Sequence, residues 1–292
     1  MNPKWRKSVR WLKSWLFTPG TKADHFEKAA EVRADALIID LEDAVAPSAK
    51  QQARCAALHY LEGLGSDRSL PCALRINAPI TRVGLDDLQS LLNSSAEPDF
   101  IVLPKCESAG EIRFVSTLLR EAGKSTEVIA LIETAKAVAA LATITDADVK
   151  PAALLFGAAD MAADLGAEAA WEPMLWVRSR IVEMAACGGI AAIDSPYFEI
   201  ADAEGLEQET KRSASLGLHG KCAIHPSQIS TINAVLTPSE QRIAEARQVL
   251  VVNRKGVGSV DHQMVDEAVA RNARLLLQRA GITTEKDRKS VV

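Results

Sequence analysis

The sequence lacks the features that mark several classes of protein. Its five cysteines are dispersed and never spaced as a CxxC motif, which excludes a clustered zinc or redox site and suggests buried thiols in a reducing compartment. No apolar run approaches the roughly 20 residues that cross a bilayer, and no leader with a cleavage site is evident. The formal charge of −4 gives no general attraction to nucleic acid or to an anionic membrane. We therefore expect a cytoplasmic protein with neither kind of partner.

The sequence also lacks three common catalytic signatures. No GxSxG, P-loop or GxGxxG motif precedes a predicted helix, which argues against an elbow hydrolase, a P-loop NTPase and a Rossmann dehydrogenase. What the chain does contain is enough apolar sequence, 48% of 292 residues, to bury a large core. The remaining question is how that core is organised.

Short apolar runs alternate with helical patterns at a spacing of roughly 20 to 35 residues, which is typical of βα units. The runs predict eight strands, and eight such units predict an α/β fold, a (β/α)8 TIM barrel. The predicted strands are Ser14–Phe17, Ala36–Asp40, Cys72–Ile76, Phe100–Leu103, Val128–Ile132, Ala153–Phe156, Ala191–Ile193 and Gly220–Ile224. The predicted outer helices are Asp24–Arg33, Ala49–Leu64, Ala109–Glu121, Ala135–Thr143, Pro173–Ala186 and Ala203–Leu216.

Helix start signals support two of the helices. Ser108 with Glu111 three residues later forms a capping box, and Thr237 with Pro238 predicts another N-terminus. We assign residues 1–237 to the barrel and residues 238–292 to a C-terminal helical extension with helices at Ser239–Asn253 and Val265–Ala280. A segment that is not needed to close the barrel is free to cover the site or to pack on a neighbouring subunit.

Two carboxylates at successive strand ends suggest a metal site. Glu133 follows the fifth predicted strand and Asp160 follows the sixth, in the segment FGAADMAADLG. The carboxyl ends of parallel strands open on one face of a barrel, where active sites are built. Hard oxygen ligands suit Mg²⁺, which takes one or two carboxylates and leaves other positions to water and substrate. The alternative is that each acid caps the helix that follows it.

Other charged side chains follow the remaining strands. Arg75 has two interpretations of equal weight: its planar fork binds a substrate carboxylate, or it forms a buried ion pair with Asp40 or Glu42. Lys105 is interpreted as a structural ion pair rather than a Schiff-base lysine, because nearby acids would hold it charged. The other polar groups at strand ends are Asp43, Lys50, Asp194 and His225, of which His225 is assigned a structural role.

Nine segments, in order between residues 13 and 269, resemble the citrate lyase β-subunit family, which includes malyl-CoA and citramalyl-CoA lyases and is related to the class II oxo-acid aldolases. They are KSWLFTPG, DALIIDLEDAVAP, LRINAP, IVLPKCES, LIETAKAV, LFGAADMAADLG, AIDSPYFEIADAEGL, GKCAIHPSQI and GSVDHQMVDEAV. The resemblance implies a Mg²⁺-dependent barrel enzyme that cleaves or forms a carbon–carbon bond between an acyl-CoA thioester and a 2-oxo acid.

The resemblance also assigns roles to four residues. The family's metal ligands fall on Glu133 and Asp160, and Glu133 thereby also contacts the substrate. The arginine that binds the oxo-acid carboxylate falls on Arg75, and the acid that completes a neighbouring subunit's site falls on Asp266. A shared site implies a homo-oligomer, a trimer or hexamer as in relatives.

Three departures from the family pattern bear on substrate identity: Lys13 where the family has arginine, Ala137 where it has glycine, and Glu267 where proline often follows the terminal acid. Two alternatives to a stand-alone acyl-CoA lyase remain. The protein could be a citrate lyase subunit acting on a carrier-protein thioester, or a non-catalytic barrel that binds CoA or a metabolite.

Overall fold

The computed structural model describes residues 9–65, 68, 70–254, 258–260 and 263–282. Eight parallel strands pair in chain order and close into one barrel, which confirms the predicted fold. The strands are β1 (Ser14–Pro19), β2 (Ala36–Asp40), β3 (Cys72–Arg75), β4 (Phe100–Leu103), β5 (Glu127–Ile132), β6 (Ala153–Phe156), β7 (Ala191–Asp194) and β8 (Gly220–Ala223). The last closes the barrel by pairing Ser14–Leu16 with Lys221–Ala223.

Helices connect successive strands, as expected for parallel neighbours. They are α1 (Lys28–Glu31), α2 (Lys50–Gly63), α3 (Arg82–Leu92), α4 (Ala109–Glu121), α5 (Ala135–Thr145), α6 (Ala158–Leu165), α7 (Trp171–Gly188), α8 (Ala203–Leu216) and α9 (Ile229–Leu236). Helices α3, α6 and α9 were not predicted. In α3, Gly84 approaches the preceding turn so closely that a Cβ there would lie 2.1 Å from Ala78 O.

The barrel interior is filled by alternate residues of the strands, because successive side chains point to opposite faces. Trp15 is fully buried there against Phe100, with ring centroids 5.7 Å apart. The other buried members of this interior cluster are Leu12, Ala36, Ile38, Ala73, Val102, Ile129, Leu131, Ala153, Leu155, Ala191, Ile193 and Cys222. The intervening residues of each strand face the helices.

One of the two predicted helix starts is confirmed. Ser108 Oγ accepts the Glu111 N–H, and the Glu111 side chain accepts the Ser108 N–H, so the capping box is complete. The start at Thr237 was wrong: Ser239 is the N-cap of the next helix and accepts the Arg242 N–H at 3.3 Å. Serine is the stronger cap of the two, which explains the shift of two residues.

The chain divides into two compact units, Met1–Asn233 and Ala234–Val292, and the boundary predicted after residue 237 stays a prediction about domains. The second unit contains α10 (Glu240–Asn253), a hairpin of β9 (Gly258–Val260) and β10 (Gln263–Val265), and α11 (Glu267–Arg279). The two helices share an apolar core that includes Ala246 and Leu277. Within the described part of the chain, no helix combines the length and the apolar character that a bilayer span requires.

Candidate active site

Three of the predicted site residues share the interior face of the barrel. Asp40, Arg75 and Glu133 each lie two positions beyond a residue of the interior cluster, namely Ile38, Ala73 and Leu131. The alternation of side chains therefore aims all three at the carboxyl end of the barrel interior. This is the end at which barrel enzymes carry their chemistry.

Arg75 forms a bidentate ion pair with Asp40. Its Nε and Nη2 donate to the two Asp40 oxygens at 2.7 Å each, and its guanidinium lies 5.0 Å from the centre of the Phe17 ring. Asp40 also accepts the backbone N–H groups of Glu42 and Ala44. Both partners are buried, so the guanidinium is held in one orientation.

The ion pair with Asp40 uses only two of the three guanidinium nitrogens of Arg75. An arginine has five N–H donors, and Asp40 occupies the Nε–Nη2 side, so the edge formed by Nη1 and Nη2 retains donors. Glu42 Oε2 lies 3.1 Å from Nη1 but has no hydrogen-bond partner among the described residues. The structure thus contains the predicted ion pair. Nη1 also lies 3.7 Å from Asp43 Oδ2, but among the described residues the hydrogen bonds of the guanidinium go to Asp40, so Nη1 keeps its donors for a carboxylate ligand.

An ammonium group lies among three carboxylates next to this pair. Lys105 Nζ is 3.1 Å from Glu42 Oε1, 3.5 Å from Asp160 Oδ1 and 3.8 Å from Glu133 Oε1. Lys105 adopts a left-handed backbone with φ of +47°, and its N–H donates to Glu133 Oε1 at 2.9 Å. A positive φ costs a non-glycine residue roughly 1 kcal/mol or more, and such strain is concentrated at functional sites. The predicted structural ion pair of Lys105 is therefore present.

The surroundings of Glu133 disfavour its negative charge. Burial, followed by the repulsion of Glu42 and Asp160, raises the pKa of Glu133 to about 8 in spite of Lys105. Burial likewise raises the pKa of Glu42. For Lys105, burial lowers the pKa but Glu133 and Glu42 outweigh it, so the pKa is raised and the ammonium stays charged.

The residues present fit a magnesium ion. Glu133 and Asp160 supply two hard oxygen ligands around a point that already attracts a cation, and Mg²⁺ usually takes no more carboxylates than that. Glycine at position 157 keeps the space beside Glu133 clear, since a Cβ there would lie 2.6 Å from Glu133 Oε2. Among the described residues, no group of three or more His, Cys, Asp or Glu side chains is arranged to hold a metal ion. Glu133 and Asp160 would be the two protein ligands, and water and substrate would take the other positions.

The acidic loop after β2 is fixed by its own polar network. Lys50 Nζ donates to Leu41 O, Glu42 O and Asn77 Oδ1 at 2.6 to 2.8 Å. Asn77 in turn donates to Leu41 O and to buried Asp87. Lys50, which the strand-end pattern had grouped with the site, thus orients the loop through backbone carbonyls.

Asp194 does not belong to the site, although it ends β7. It follows Ile193 of the interior cluster, so its side chain points outward, where Lys221 Nζ donates to it at 2.8 Å and Arg178 Nε at 2.9 Å. All three side chains are buried. Burial alone would raise the pKa of Asp194, but Lys221 and Arg178 lower it to about 2. Arg178 gave no signal in the sequence because a helical arginine is ordinarily exposed.

Two other predicted residues have local structural partners. His225 accepts the Ser227 N–H through Nδ1 at 3.2 Å, which agrees with its structural assignment. Asp266 lies in the second unit, where its Oδ1 accepts the Val269 N–H at 3.0 Å and caps α11. A catalytic role for Asp266 stays a prediction.

The departures from the family pattern also have structural partners. Lys13 precedes β1, at the amino end of the barrel, where it pairs with Asp35 at 3.2 Å. Glu267 pairs with Arg274 at 2.9 Å. Lys13 thus lies at the opposite end of the strands from Glu133 and Asp160, and its bearing on substrate identity stays a prediction.

Residue Glu42 was underestimated from the sequence. It contacts both Arg75 and Lys105 and so joins the arginine to Glu133 and Asp160, the predicted metal ligands. The signal for it was its position two residues beyond Asp40 in DLED, directly after a buried strand. The sequence named it as a possible ion-pair partner of Arg75 but did not link it to Lys105.

Residues 13–226 match the HpcH/HpaI aldolase/citrate lyase family. The chain belongs to that family. This confirms the resemblance, which implied a lyase built on this barrel.

Two relatives that align with most of the chain support the same family assignment. An L-malyl-CoA/beta-methylmalyl-CoA lyase of Cereibacter sphaeroides is 33% identical over 91% of this chain and 93% of its own. A citrate lyase subunit beta-like protein of Mycobacterium tuberculosis is 35% identical over 93% of this chain and 97% of its own.

Solved structures support the assignment. CitE from Mycobacterium tuberculosis, in complex with magnesium, acetoacetate and coenzyme A, is 34% identical, covers 94% of this chain and 100% of its own, and has a TM-score of 0.80. RipC from Yersinia pestis is 43% identical, covers 81% of this chain and 100% of its own, and has a TM-score of 0.71. The predicted magnesium and coenzyme A are both named in the first of these structures. The predicted enzyme class, a lyase, is confirmed by the relatives and the family.

Proposed function

We propose that this protein is a Mg²⁺-dependent carbon–carbon lyase that cleaves a 3-hydroxyacyl-CoA thioester into acetyl-CoA and a 2-oxo acid. The candidate substrates are citramalyl-CoA, malyl-CoA and citryl-CoA. One observation carries the proposal. Glu42, Glu133 and Asp160 all lie within 3.8 Å of one cation, the Lys105 ammonium, beside the guanidinium of Arg75. The presence of magnesium and coenzyme A in a 34% identical neighbour supports the ligand classes.

The roles follow from the positions of the side chains. Glu133 and Asp160 hold the metal, and Mg²⁺ when bound supplies a Lewis acid for the hydroxyl and carboxylate oxygens of the substrate. The open edge of Arg75 receives the carboxylate and aligns the bond that breaks. Asp40 keeps that edge turned toward the substrate through its two hydrogen bonds.

The second half of the reaction needs a proton on carbon. When the carbon–carbon bond breaks, the substrate hydroxyl gives up its proton to solvent and its carbon becomes the 2-oxo carbon of the product acid. The bonding electron pair leaves with the thioester fragment as an enolate. Asp266, or a water molecule that it holds, delivers the proton that converts this enolate to acetyl-CoA. The C-terminal segment thereby contributes to catalysis.

The test is a substrate panel. Citramalyl-CoA, malyl-CoA and citryl-CoA are each incubated with Mg²⁺ and with chelator, and free 2-oxo acid and acetyl-CoA are measured. Cleavage of one thioester that stops with chelator and returns with Mg²⁺ supports the proposal and identifies the substrate. If none of the three is cleaved but an acyl carrier-protein thioester is, the protein would instead be assigned to a citrate lyase complex. Silence with every thioester would indicate a binding role.

Replacement of Arg75 by lysine is expected to damage binding of the oxo-acid portion most. Lysine keeps the charge but offers a point donor instead of a planar fork, and it cannot reproduce the paired bonds to Asp40. We expect KM to rise by roughly 10-fold or more, the loss associated with one charged hydrogen bond. Steady-state kinetics of Arg75→Lys measure this, with Arg82→Lys, an exposed arginine on α3, as the control. An unchanged KM would contradict the assignment.

Replacement of Asp266 by asparagine separates two roles of this residue. Asparagine caps a helix as well as aspartate does, so α11 should keep its stability, whereas the proton donor is lost. We expect turnover to fall by about 100-fold or more at an unchanged melting temperature. Asp266→Ala removes both roles, so it should lose turnover as Asp266→Asn does and in addition lower stability by about 1 kcal/mol. Full activity of Asp266→Asn would assign Asp266 to capping only.

A shared site would make the active form a homo-oligomer, a trimer or hexamer. Chains carrying Glu133→Ala lack a metal ligand, and chains carrying Asp266→Ala lack the proton donor. If Asp266 acts across an interface, mixing the two inactive chains restores part of the activity. No recovery on mixing, or full activity in a monomer, would show that each barrel supplies its own acid.

A further inference from the structure

Lys105 has a feature that the lyase chemistry does not use: its ammonium group occupies the centre of the acid cluster. Its three partners are Glu42, Asp160 and Glu133, at 3.1, 3.5 and 3.8 Å. Two of those acids are the residues assigned to the metal. The same oxygens therefore serve two cations, an ammonium group that belongs to the chain and a metal ion that comes from solution.

The backbone of Lys105 is held independently of its side chain. The peptide N–H donates to Glu133 Oε1, and the residue sits in a left-handed turn between Pro104 and Cys106. The side chain is 42% exposed, so its outer part borders solvent and can leave the cluster without moving the turn. Lysine has four rotatable bonds and a compact, strongly hydrated charge, which suits a movable group.

We infer that Lys105 is a resident counterion that competes with Mg²⁺ for Glu133 and Asp160 and so weakens metal binding until substrate arrives, an inference that rests on the proposed function. In the metal-free protein the ammonium offsets the mutual repulsion of the buried acids. A metal ion on the same oxygens is a like charge beside it, and the ammonium must withdraw. The free enzyme consequently holds Mg²⁺ weakly.

The substrate relieves this competition. Its carboxylate, held by Arg75, brings a negative charge next to the acid cluster that offsets the repulsion between the metal ion and the ammonium, so that metal and 2-oxo acid bind with positive coupling. Lys105 is in this sense a positioning residue. Its role is to make metal loading depend on the substrate.

The experiment is a calorimetric titration of Mg²⁺ into the full-length protein and its variants. Lys105→Met keeps the length of the side chain, adds no backbone strain and removes the charge. We expect it to bind Mg²⁺ roughly tenfold tighter or more, the effect of removing one like charge within 4–6 Å. Lys105→Arg, which restores the charge, should bind as weakly as wild type. Lys136→Met removes an exposed lysine that pairs with Glu107 at 3.8 Å, and it should leave the affinity unchanged.

Addition of pyruvate tests the coupling. Wild type should gain more Mg²⁺ affinity from this 2-oxo acid than Lys105→Met does, because the variant has no competitor to remove. Equal gains would overturn the coupling. If circular dichroism shows that Lys105→Met is unfolded, Lys105→Gln, which keeps donors for the carboxylates but no charge, makes the same test.

The outcomes separate this inference from the proposed function. Unchanged or weaker Mg²⁺ binding in the folded charge-removal variants, with binding abolished by Glu133→Gln, would overturn the role of Lys105 and leave the metal site intact. Mg²⁺ binding in wild type that Glu133→Gln does not affect would overturn both, because the metal would then lie elsewhere.

Discussion

Glu133→Gln is expected to reduce turnover by about 10³-fold or more. The substitution keeps the size of the side chain and can still accept the Lys105 N–H, but it removes the charge of a metal ligand. Without that ligand the substrate hydroxyl loses its Lewis acid, whose contribution to the transition state amounts to several kcal/mol. Metal-dependent cleavage of the identified thioester measures the effect, and Mg²⁺ calorimetry should show weaker binding in parallel.

The matched control for this prediction is Glu121→Gln. Glu121 ends α4 and is exposed, so the same chemical change there should leave both turnover and Mg²⁺ affinity at the wild-type level. Retention of more than a tenth of wild-type turnover by Glu133→Gln would remove this residue from the metal site. A loss of turnover accompanied by a lower melting temperature would instead indicate a folding defect.

Asp194→Asn is expected to destabilise the fold by about 3–5 kcal/mol, the cost of breaking a buried charge cluster. Lys221 and Arg178 are almost completely buried, and once the Asp194 charge is removed Glu209 is the carboxylate that remains near both among the described residues, 2.8 Å from Lys221 Nζ and 3.8 Å from Arg178 Nη2. The guanidinium is also packed against two aromatic rings, 4.9 Å from the centre of Phe156 and 4.6 Å from that of Trp171. Chemical denaturation followed by circular dichroism measures the free energy of unfolding.

Acid should reproduce part of the same loss. The pKa of Asp194 is about 2 in the folded protein and near 3.8 in the unfolded chain. A depressed folded pKa contributes stability above the unfolded value, and that contribution, about 2 kcal/mol, disappears as the pH falls from about 4 to 2. Asp194→Asn should lack this component of acid sensitivity. The control is Asp148→Asn, the same chemical change at an exposed aspartate. Identical acid profiles for Asp194→Asn and wild type would contradict the prediction.

Periodicity was sufficient to predict the barrel and the positions of its strands. Each strand is a short apolar run between turn residues, and the parallel order follows from the helices between them. Helix α3 was missed because glycine has a low helix propensity. Gly84 is nevertheless required in this helix because Ala78 O approaches it closely, and that contact cannot be deduced from local propensity. The hairpin β9–β10 was missed for a related reason, since a polar link with glycines reads as a loop.

The site was only partly predictable. Position at a strand end identified Glu133, Asp160 and Arg75, but it also grouped Asp194 with them. The difference is one residue of register: Glu133 is in phase with the barrel interior, and Asp194 is out of phase with it. In a fully apolar strand no alternation is visible in the sequence, so the phase had to come from the structure. The sequence predicted an ion pair for Lys105 but not its three partners, because their meeting depends on side chains from four separate segments.

The alternation of the strands also bears on how this enzyme can evolve. Interior positions at the strand ends, such as Arg75 and Glu133, carry the proposed site, while outward positions such as Asp194 and Lys221 join the strands to the helices. Substitutions at well-separated sites usually have additive effects. A lineage can therefore exchange strand-end residues for a new substrate while the outer ion cluster and the apolar residues deeper in the barrel keep the fold stable.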